Sequence, residues 1–275
     1  MKLLHSIITL MALITLRCPA MQESLSSSQK KAIIIGASSG MGREVAKLLS
    51  KEGYVVGLVA RRLPLLESLQ KEIGSKSFIK QIDVTDSDAR EKLQELITEM
   101  NGLDLIVISI TAYLDNKNSK EMGWEKKERT LDVDAKGFIA MADVAFTFFE
   151  KQNHGHLVGI SSTSGLRGST YNPVYSAAKA CISCYMEGMR NYMLQNNIDV
   201  QVTDIVAGFV AVEHSLMGED PSVYWEITTE QAGKTIVEGI KNQQKIVYVP
   251  SKVWIIACLL QYLPDWAYNN YLPWL

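Results

Sequence analysis

Tyr175 and Lys179 form the pair of side chains in this sequence best suited to moving a proton. Side chains four positions apart share one face of a helix, so the phenol and the ammonium would lie side by side. A neighbouring cation favours the phenolate form, which allows a tyrosine to exchange a proton near neutral pH. Ser162, earlier in the chain, could meet the tyrosine over a substrate carbonyl. Taken alone, the tyrosine–lysine spacing is also what a surface pair would show.

A glycine-rich segment could bind a phosphate group. Gly36-Ala37-Ser38-Ser39-Gly40-Met41-Gly42 follows an apolar run and precedes a helical pattern. Glycine lets the backbone turn sharply and approach a pyrophosphate, and the following helix N-terminus offers free N–H groups and the positive end of its dipole. This position between strand and helix predicts a dinucleotide site. The expected cofactor contacts within it are Gly36, Ser38, Ser39, Gly40, Met41 and Gly42.

Two arginines, Arg61 and Arg62, indicate which dinucleotide binds. An NAD site carries an acid at the end of the second strand for the ribose hydroxyls, whereas the first acid here is Glu67. Guanidinium groups instead suit a 2′-phosphate, which favours NADP(H). The alternative is that both arginines are solvated at the entry to a helix. After the third strand, Asp83 and Val84 are expected to contact the adenine, although Asp83 could equally cap the next helix.

These residues must be positioned by a repeating pattern of apolar runs and amphipathic segments. The predicted strands are Ala32–Ile35, Tyr54–Ala60, Ser77–Ile82, Leu105–Ile110, His156–Ser161, Val200–Val206 and Lys245–Val249. The predicted helices are Met41–Lys51, Leu65–Ile73, Ser87–Met100, Lys126–Glu150, Tyr175–Gln195 and Thr229–Lys241. Regular alternation implies a parallel sheet with right-handed crossovers and helices on both faces. The sequence therefore predicts one doubly wound α/β domain of about seven strands over residues 30–250.

Together these motifs resemble those of the short-chain dehydrogenase/reductase family. The glycine turn, the residues after the third strand, Ser162 and the Tyr175/Lys179 pair occur in the family's order, and the resemblance covers about residues 31–250. It implies a single Rossmann-type domain of seven parallel strands, commonly in dimers or tetramers, that transfers hydride between a nicotinamide and a carbonyl or alcohol. By this resemblance Tyr175 is the general acid/base, Lys179 holds the nicotinamide ribose, and Ser162 orients and polarises the substrate oxygen.

Several positions depart from the family pattern. Thr111 stands where the family's Asn-Asn-Ala-Gly stretch ends in glycine. Asp134 replaces an asparagine that supports the proton-relay water, so we expect it in the catalytic group with its acceptor retained and its amide donor lost. Ala207-Gly208 replaces Pro-Gly, which keeps Gly208 as a cofactor contact, and Val212 replaces a cofactor-contacting threonine. An active reductase is favoured, and the alternative is a catalytically impaired relative that acts as a binding or scaffold protein.

Cysteines and histidines offer weaker candidates. Cys181 and Cys184 lie on the predicted helix that carries Lys179, but no second Cys or His pair is spaced to complete a zinc site. We expect them to be buried apolar thiols, with a redox pair as the alternative. His154 and His156 flank a glycine before the fifth strand and are expected in an exposed loop.

The region after the sixth predicted strand forms a lid over the substrate in the family that this chain resembles. His214 falls in this region and could touch the substrate. The same region holds an apolar set suited to a lipophilic substrate, or equally to packing: Leu216, Met217, Tyr224 and Trp225.

The composition is that of an ordinary globular protein. The 275 residues are 47% hydrophobic and 21% charged, with a formal net charge of −2. These values exclude intrinsic disorder and give no basic footprint for nucleic acid. Four cysteines are too few for a secreted disulfide scaffold.

Both ends of the chain are apolar. Residues 1–29 read as a poor secretory leader with a polar linker, or as an extension before a start at Met21, and are expected to lie outside the fold. Residues 251–275 are an aromatic extension that could cover the substrate pocket, contact another subunit or touch a membrane surface. The sequence as a whole predicts a cytoplasmic, NADPH-dependent reductase of a hydrophobic ketone or aldehyde, without a metal, in a homodimer or homotetramer.

Overall fold

A parallel sheet of seven strands organises the chain. The computed structural model describes residues 29–74, 76–112, 123–169, 172–211 and 225–271. Within these ranges the strands are β1 (Lys31–Ile35), β2 (Val55–Ala60), β3 (Ser77–Gln81), β4 (Leu105–Ile108), β5 (Gly155–Ser162), β6 (Val200–Ala207), β7 (Val210–Ala211), β8 (Ile227–Thr228) and β9 (Ile246–Val249). The sheet order is β3-β2-β1-β4-β5-β6-β9, and every neighbouring pair is parallel. Strands β7 and β8 pair with each other in a separate short sheet, which the sequence did not predict.

Helices cover both faces of the sheet. They are α1 (Gly40–Lys51), α2 (Leu63–Ile73), α3 (Ala89–Glu99), α4 (Trp124–Leu131), α5 (Phe138–Gln152), α6 (Pro173–Gln195), α7 (Thr229–Lys241), α8 (Val253–Tyr262) and α9 (Asp265–Tyr271). Buried side chains of α1, α2 and α7 form one apolar core, and those of α3, α5 and α6 form the other. The predicted doubly wound α/β fold is confirmed.

Strand β4 shows why the centre of the sheet is apolar on both sides. Successive side chains of a strand point to opposite faces. Leu105 and Val107 therefore enter the core beneath α1 and α7, whereas Ile106 and Ile108 enter the core beneath α5 and α6. All four residues are buried, as expected for a parallel strand covered on both faces.

The predicted helix Lys126–Glu150 is interrupted. A π-helical turn, Asp132–Gly137, separates α4 from α5. A Cβ at Gly137 would lie 2.6 Å from Cγ2 of Val84, so the turn approaches the segment after β3 too closely for a side chain there. Turns of this kind are common at functional sites, and this one carries the buried Asp134.

The C-terminal extension folds as two helices. Val253, Ala257 and Leu260 form the packed face of α8. A Cβ at Gly208 would lie 2.8 Å from Cγ2 of Val253, so α8 begins against the end of β6. No helix in the described part of the chain is long and apolar enough to cross a membrane.

The prediction of buried cysteine thiols is wrong. Cys181 is half-buried, while Cys184 and Cys258 are exposed. On α6 the positions that face the core are taken by Ala178, Ile182 and others, which turns the cysteines toward the surface. Burial, and next the neighbouring Cys184, raises the pKa of the Cys181 thiol.

The prediction of an exposed loop holds for His154 but is wrong for His156, which the predicted strand His156–Ser161 includes. His156 is the second residue of β5 and is only 9% exposed. Its Nε2 lies 2.8 Å from the hydroxyl of Thr203, which itself donates to the carbonyl of Gln244. The hydroxyl must therefore accept from Nε2–H, and burial lowers the pKa of His156 to about 4.

His156 should make folding stability depend on pH. The unfolded chain binds a proton at this histidine near its usual pKa of about 6.5, whereas the folded chain does so only near 4. The free energy of unfolding should therefore fall by about 3 kcal/mol as the pH drops through that window. In urea unfolding between these pH values, His156→Gln should lose less stability than the wild type. The exposed His154→Gln is the control, and equal pH dependence in all three proteins would contradict the assignment.

Candidate active site

The glycine-rich turn lies at the carboxyl end of β1, at the centre of the sheet. Gly36 has a φ of +91°, a conformation that favours glycine, and its N–H donates to the Val59 carbonyl at 2.8 Å. A side chain at Gly36 would also collide with the backbone carbonyl of Ser109, after β4. The turn is therefore pressed against the ends of two neighbouring strands.

The start of α1 is open to an anion. Its N-cap, Ser39, makes no side-chain capping hydrogen bond, and the first turn of α1 carries no acidic residue. Arg62 Nη2 donates to the hydroxyls of Ser38 at 2.9 Å and Ser39 at 2.6 Å. Backbone N–H groups, two hydroxyls and a guanidinium thus meet at one helix N-terminus, which is a favourable environment for phosphate.

Asp83 does not cap the following helix, since the N-cap of α3 is Asp88. Its Oδ1 accepts from both the N–H and the hydroxyl of Thr85, and its Oδ2 accepts from Arg129 at 2.8 Å. Burial acts to raise the pKa of Asp83, but the bonds from Arg129 and Thr85 outweigh it and lower the pKa. Arg61 Nη1 lies 3.8 Å from the same carboxylate, so Asp83 connects Arg61 to Arg129.

Helix α6 brings Tyr175 and Lys179 to one face. The Asn172 side chain accepts from the Tyr175 N–H at 3.1 Å and so fixes where the helix begins. Lys179 Nζ lies 5.5 Å from the centre of the Tyr175 ring. The predicted juxtaposition of phenol and ammonium is therefore present.

Ser162 ends β5 and is followed directly by a tight turn, Thr163–Gly165. The Ser162 hydroxyl accepts a hydrogen bond from the Ser164 N–H at 3.2 Å, so its own proton can be donated elsewhere. A Cβ at Gly165 would lie 2.7 Å from the backbone of Lys179 and Ala180. This close approach holds the turn after Ser162 against the helix that carries the tyrosine and the lysine.

Asp134 is the central acceptor of the site. Its Oδ2 accepts from the Thr111 hydroxyl at 2.8 Å, and its Oδ1 accepts from the Ala112 N–H at 2.5 Å. Lys179 Nζ lies 3.6 Å from Oδ2, with the two side chains 3% and 0% exposed. The lysine also donates to the carbonyl of Ile110 at 3.3 Å. Thr111, at the family's glycine position, thus contributes a hydroxyl to a buried ion pair.

The comparisons with known proteins identify the family of this chain. The family model described as short chain dehydrogenase matches residues 30–218, more than half of the chain. This chain belongs to the short-chain dehydrogenase/reductase family. It is accordingly an oxidoreductase with a nucleotide-binding Rossmann fold.

Individual relatives of this short-chain dehydrogenase cover most of its length. An uncharacterized oxidoreductase of Myxococcus xanthus is 34% identical over 219 residues, which are 77% of this chain and 85% of the relative. A serine dehydrogenase structure from Escherichia coli is 26% identical with a TM-score of 0.60, covering 65% of this chain and 82% of that one. A short-chain dehydrogenase of Sphingobium yanoikuyae in complex with NADPH matches with a TM-score of 0.74 and 17% identity, covering 88% and 96%.

The remaining predicted residues of this dehydrogenase fall into two groups, one within and one outside the described part of the chain. Gly208 N–H donates to the Val249 carbonyl at 2.7 Å at the end of β6, and Val84 is buried beside the π-helical turn. Trp225 is 41% exposed. The rest of the predicted lid lies outside the described residues: Val212, His214, Leu216, Met217 and Tyr224. The roles assigned to Ser162, Tyr175, Lys179 and Asp134, and the cofactor contacts, stay predictions.

Two polar residues of this region were missed by the sequence reasoning. Arg129 binds Asp83, but nothing in the helical pattern around it indicates that partner. Asp204 lies in β6, only 4% exposed, and accepts from the Ser161 hydroxyl at 2.6 Å. Burial raises the pKa of Asp204. An acid within the predicted strand Val200–Val206 was a usable signal, because buried strand positions are rarely charged without a partner.

The buried pair of Asp134 and Lys179 should govern stability. Asp134→Ala leaves a buried ammonium without its counter-charge and should cost about 3–5 kcal/mol of unfolding free energy. Asp134→Asn removes the same charge but keeps one carbonyl acceptor, for either the Ala112 N–H or the Thr111 hydroxyl, and should cost somewhat less. Urea denaturation measures both.

A double variant serves as the control for this prediction. Asp134→Ala combined with Lys179→Met removes both charges and should recover much of the lost stability. If Asp134→Ala were as stable as the wild type, the ion pair would not have the role that its burial implies.

Proposed function

We propose that this chain is an NADP(H)-dependent short-chain reductase that converts a hydrophobic ketone or aldehyde into the alcohol. The observation that carries the proposal is the placement of Tyr175 and Lys179 on one face of α6, beside the turn that follows Ser162. A phenol next to an ammonium is suited to give a proton to a carbonyl oxygen and take it back. A homodimer or homotetramer in the cytoplasm, where NADPH is available, belongs to the same proposal.

The residues after β1 and β2 fit a nicotinamide dinucleotide with a 2′-phosphate. The bare backbone of Gly36, the open start of α1 and the hydroxyls of Ser38 and Ser39 suit the phosphates. Arg62 already donates to both hydroxyls, and Arg61, the preceding residue, is exposed. Neither of these two positions carries an acidic side chain, which would repel a 2′-phosphate. The NADPH complex of the Sphingobium yanoikuyae relative supports the same preference.

Each catalytic side chain has one task in the proposed reduction. When bound, NADPH supplies the hydride that adds to the carbonyl carbon. Tyr175 gives its phenolic proton to the carbonyl oxygen, and Ser162 donates a hydrogen bond to that oxygen. The Lys179 ammonium stabilises the phenolate that remains, while Asp134 holds the lysine in position. The phenolate of Tyr175 then takes up one proton from the solvent, which is the proton that the overall reduction consumes.

The hydrophobic character of the substrate is supported by the side chains around the carboxyl edge of the sheet. Val210 and Ile227, in β7 and β8, are partly buried apolar residues beyond the end of β6. Trp225 is exposed just before β8. These residues border the segment predicted as a lid and would contact an apolar group more favourably than a charged one.

One contact favours the alternative, a nucleotide-binding protein without turnover. Lys179 Nζ lies 3.6 Å from Asp134, and the lysine side chain is only 3% exposed, so its charge is already partly neutralised. If the wild type and Asp134→Asn both bound NADPH but reduced no carbonyl in a broad panel, a binding role would replace the reductase proposal.

Removing the proposed proton donor should stop the reaction without affecting cofactor binding. Tyr175→Phe should lower kcat by about 100-fold or more, the scale of a lost general acid. NADPH affinity, measured by fluorescence titration, should stay near that of the wild type. The exposed Tyr192→Phe is the matched control, because Tyr192 lies on the far part of α6 and donates its hydroxyl proton to Glu150 of α5. Undiminished turnover by Tyr175→Phe would refute the assignment.

The two arginines should distinguish NADPH from NADH. Arg61→Ala and Arg62→Ala should each weaken NADPH binding on the order of 10- to 100-fold, the scale of a charged hydrogen bond. NADH binding should change little in Arg61→Ala, since NADH lacks the 2′-phosphate. In Arg62→Ala it should weaken less than NADPH binding, because Arg62 also holds the Ser38 and Ser39 hydroxyls. Arg43→Ala is the control, because Arg43 lies on α1 but pairs with Glu72. Equal losses for both cofactors would contradict the 2′-phosphate site.

A further inference from the structure

Helix α8 is apolar on its exposed face as well as on its packed face. Val253, Ala257 and Leu260 are buried. The exposed positions are Trp254, Ile255, Cys258, Leu259, Gln261 and Tyr262. Among them only Gln261 has a strongly polar side chain, and Trp254 and Tyr262 are 53% and 82% exposed. Trp266, at the start of α9, is 66% exposed and extends this surface, which we call the aromatic face.

Other surface helices of the chain differ from α8. On α3 the buried positions are apolar, and the exposed positions are all polar or charged: Arg90, Glu91, Gln94, Glu95, Thr98 and Glu99. A helix that is apolar on all sides is normally covered on all sides. The aromatic face therefore indicates an interaction that the isolated chain does not provide.

The charge of this part of the chain argues for lipid as the occupant. From Val253 to Leu275 the sequence has a single charged side chain, Asp265. Its carboxylate accepts a hydrogen bond from Arg167, so even this charge is paired. The sequence beyond the described residues continues with Leu272, Trp274 and Leu275. A protein partner is usually recognised with some charged groups at the rim, whereas a bilayer disfavours them.

The residue types also match a membrane interface. Trp and Tyr concentrate where the hydrocarbon meets the headgroups, and here they flank Ile255 and Leu259. At 10 residues α8 is about 15 Å long, roughly half of the hydrocarbon thickness, so it could lie along the surface but not cross the bilayer. The run of residues 3–16 is a second apolar segment of the same chain, without Trp or Tyr.

Arg167 fixes the aromatic face to the catalytic edge of the sheet. Arg167 follows the turn after Ser162, and its Nη1 donates to the carbonyls of Leu260 at 3.1 Å and Leu263 at 2.5 Å. Its guanidinium carbon lies 4.3 Å from the centre of the Tyr268 ring. Both C-terminal helices are thereby tied to the loop between Ser162 and Tyr175.

We propose that the aromatic face binds the surface of a lipid bilayer and holds the carboxyl edge of the sheet close to it. Binding rests on apolar burial, because Lys252 is the only cation next to the face in the sequence. A protein positioned in this way could take a lipophilic substrate directly from the membrane. The surface contact does not depend on the reaction proposed above.

Vesicle sedimentation of the full chain tests the proposal. The wild type should pellet with vesicles of phosphatidylcholine alone, and neither added phosphatidylserine nor high salt should change the bound fraction appreciably. The variant Trp254→Ser/Ile255→Ser/Leu259→Ser should bind about 10-fold or more weakly, since three large apolar side chains are removed. The variant Trp124→Ser/Leu194→Ser changes two other exposed apolar residues, 67% and 64% exposed, and should bind like the wild type.

Three results would overturn the proposal. One is a wild type that stays in the supernatant. Another is a triple variant that pellets as well as the wild type, which would assign any binding to residues 1–28. The third is a triple variant that loses a dimer in sedimentation velocity while the wild type ignores vesicles, which would assign the face to a second copy of the chain. Thermal unfolding and NADPH titration of every variant verify that the fold is intact.

Discussion

The burial of the Lys179 ammonium is the constraint on which the site depends. A charged group only 3% exposed must have a counter-charge and acceptors, because its hydration is lost. Asp134 provides the counter-charge from the π-helical turn, and the carbonyls of Ile110 and Ile160 provide acceptors from the ends of β4 and β5. One lysine therefore ties α6 to the two central strands, and the tyrosine one turn earlier is positioned with it.

Much of the fold is predictable because many strands, helices and turns are marked by residues within their own segment of sequence. The residues of β4 are all apolar, which indicates a strand covered on both faces whatever its neighbours are. Helix α7 has the predicted bounds because Thr228 and Gln231 form a capping box that marks its start in the sequence. The glycine turn and the tyrosine–lysine pair are likewise short motifs, and the structure places the turn between β1 and α1 and the pair within α6.

The remainder depends on which elements become neighbours. The π-helical turn forms where Gly137 meets Val84, a contact between segments far apart in the sequence. Asp134 was recognised as unusual, but its bonds to Thr111 and Lys179 could not be read from its own neighbourhood. The expected exposure of His156 is wrong, although the predicted strand His156–Ser161 includes this residue, because its partner Thr203 lies on the adjacent strand. Long-range pairing of polar groups has no local pattern to reveal it.

Arg167 makes the C-terminal helices and the loop after Ser162 depend on each other. Its side chain is only 17% exposed, and its acceptors include two carbonyls at the end of α8, together with Asp265. In a relative whose chain stopped after β9, an arginine here would lose these carbonyls and the Tyr268 ring and would face water, so no contact would maintain it. The arginine and the two helices should therefore be inherited or lost together, so that residue 167 marks, within the family, which members share this C-terminal architecture.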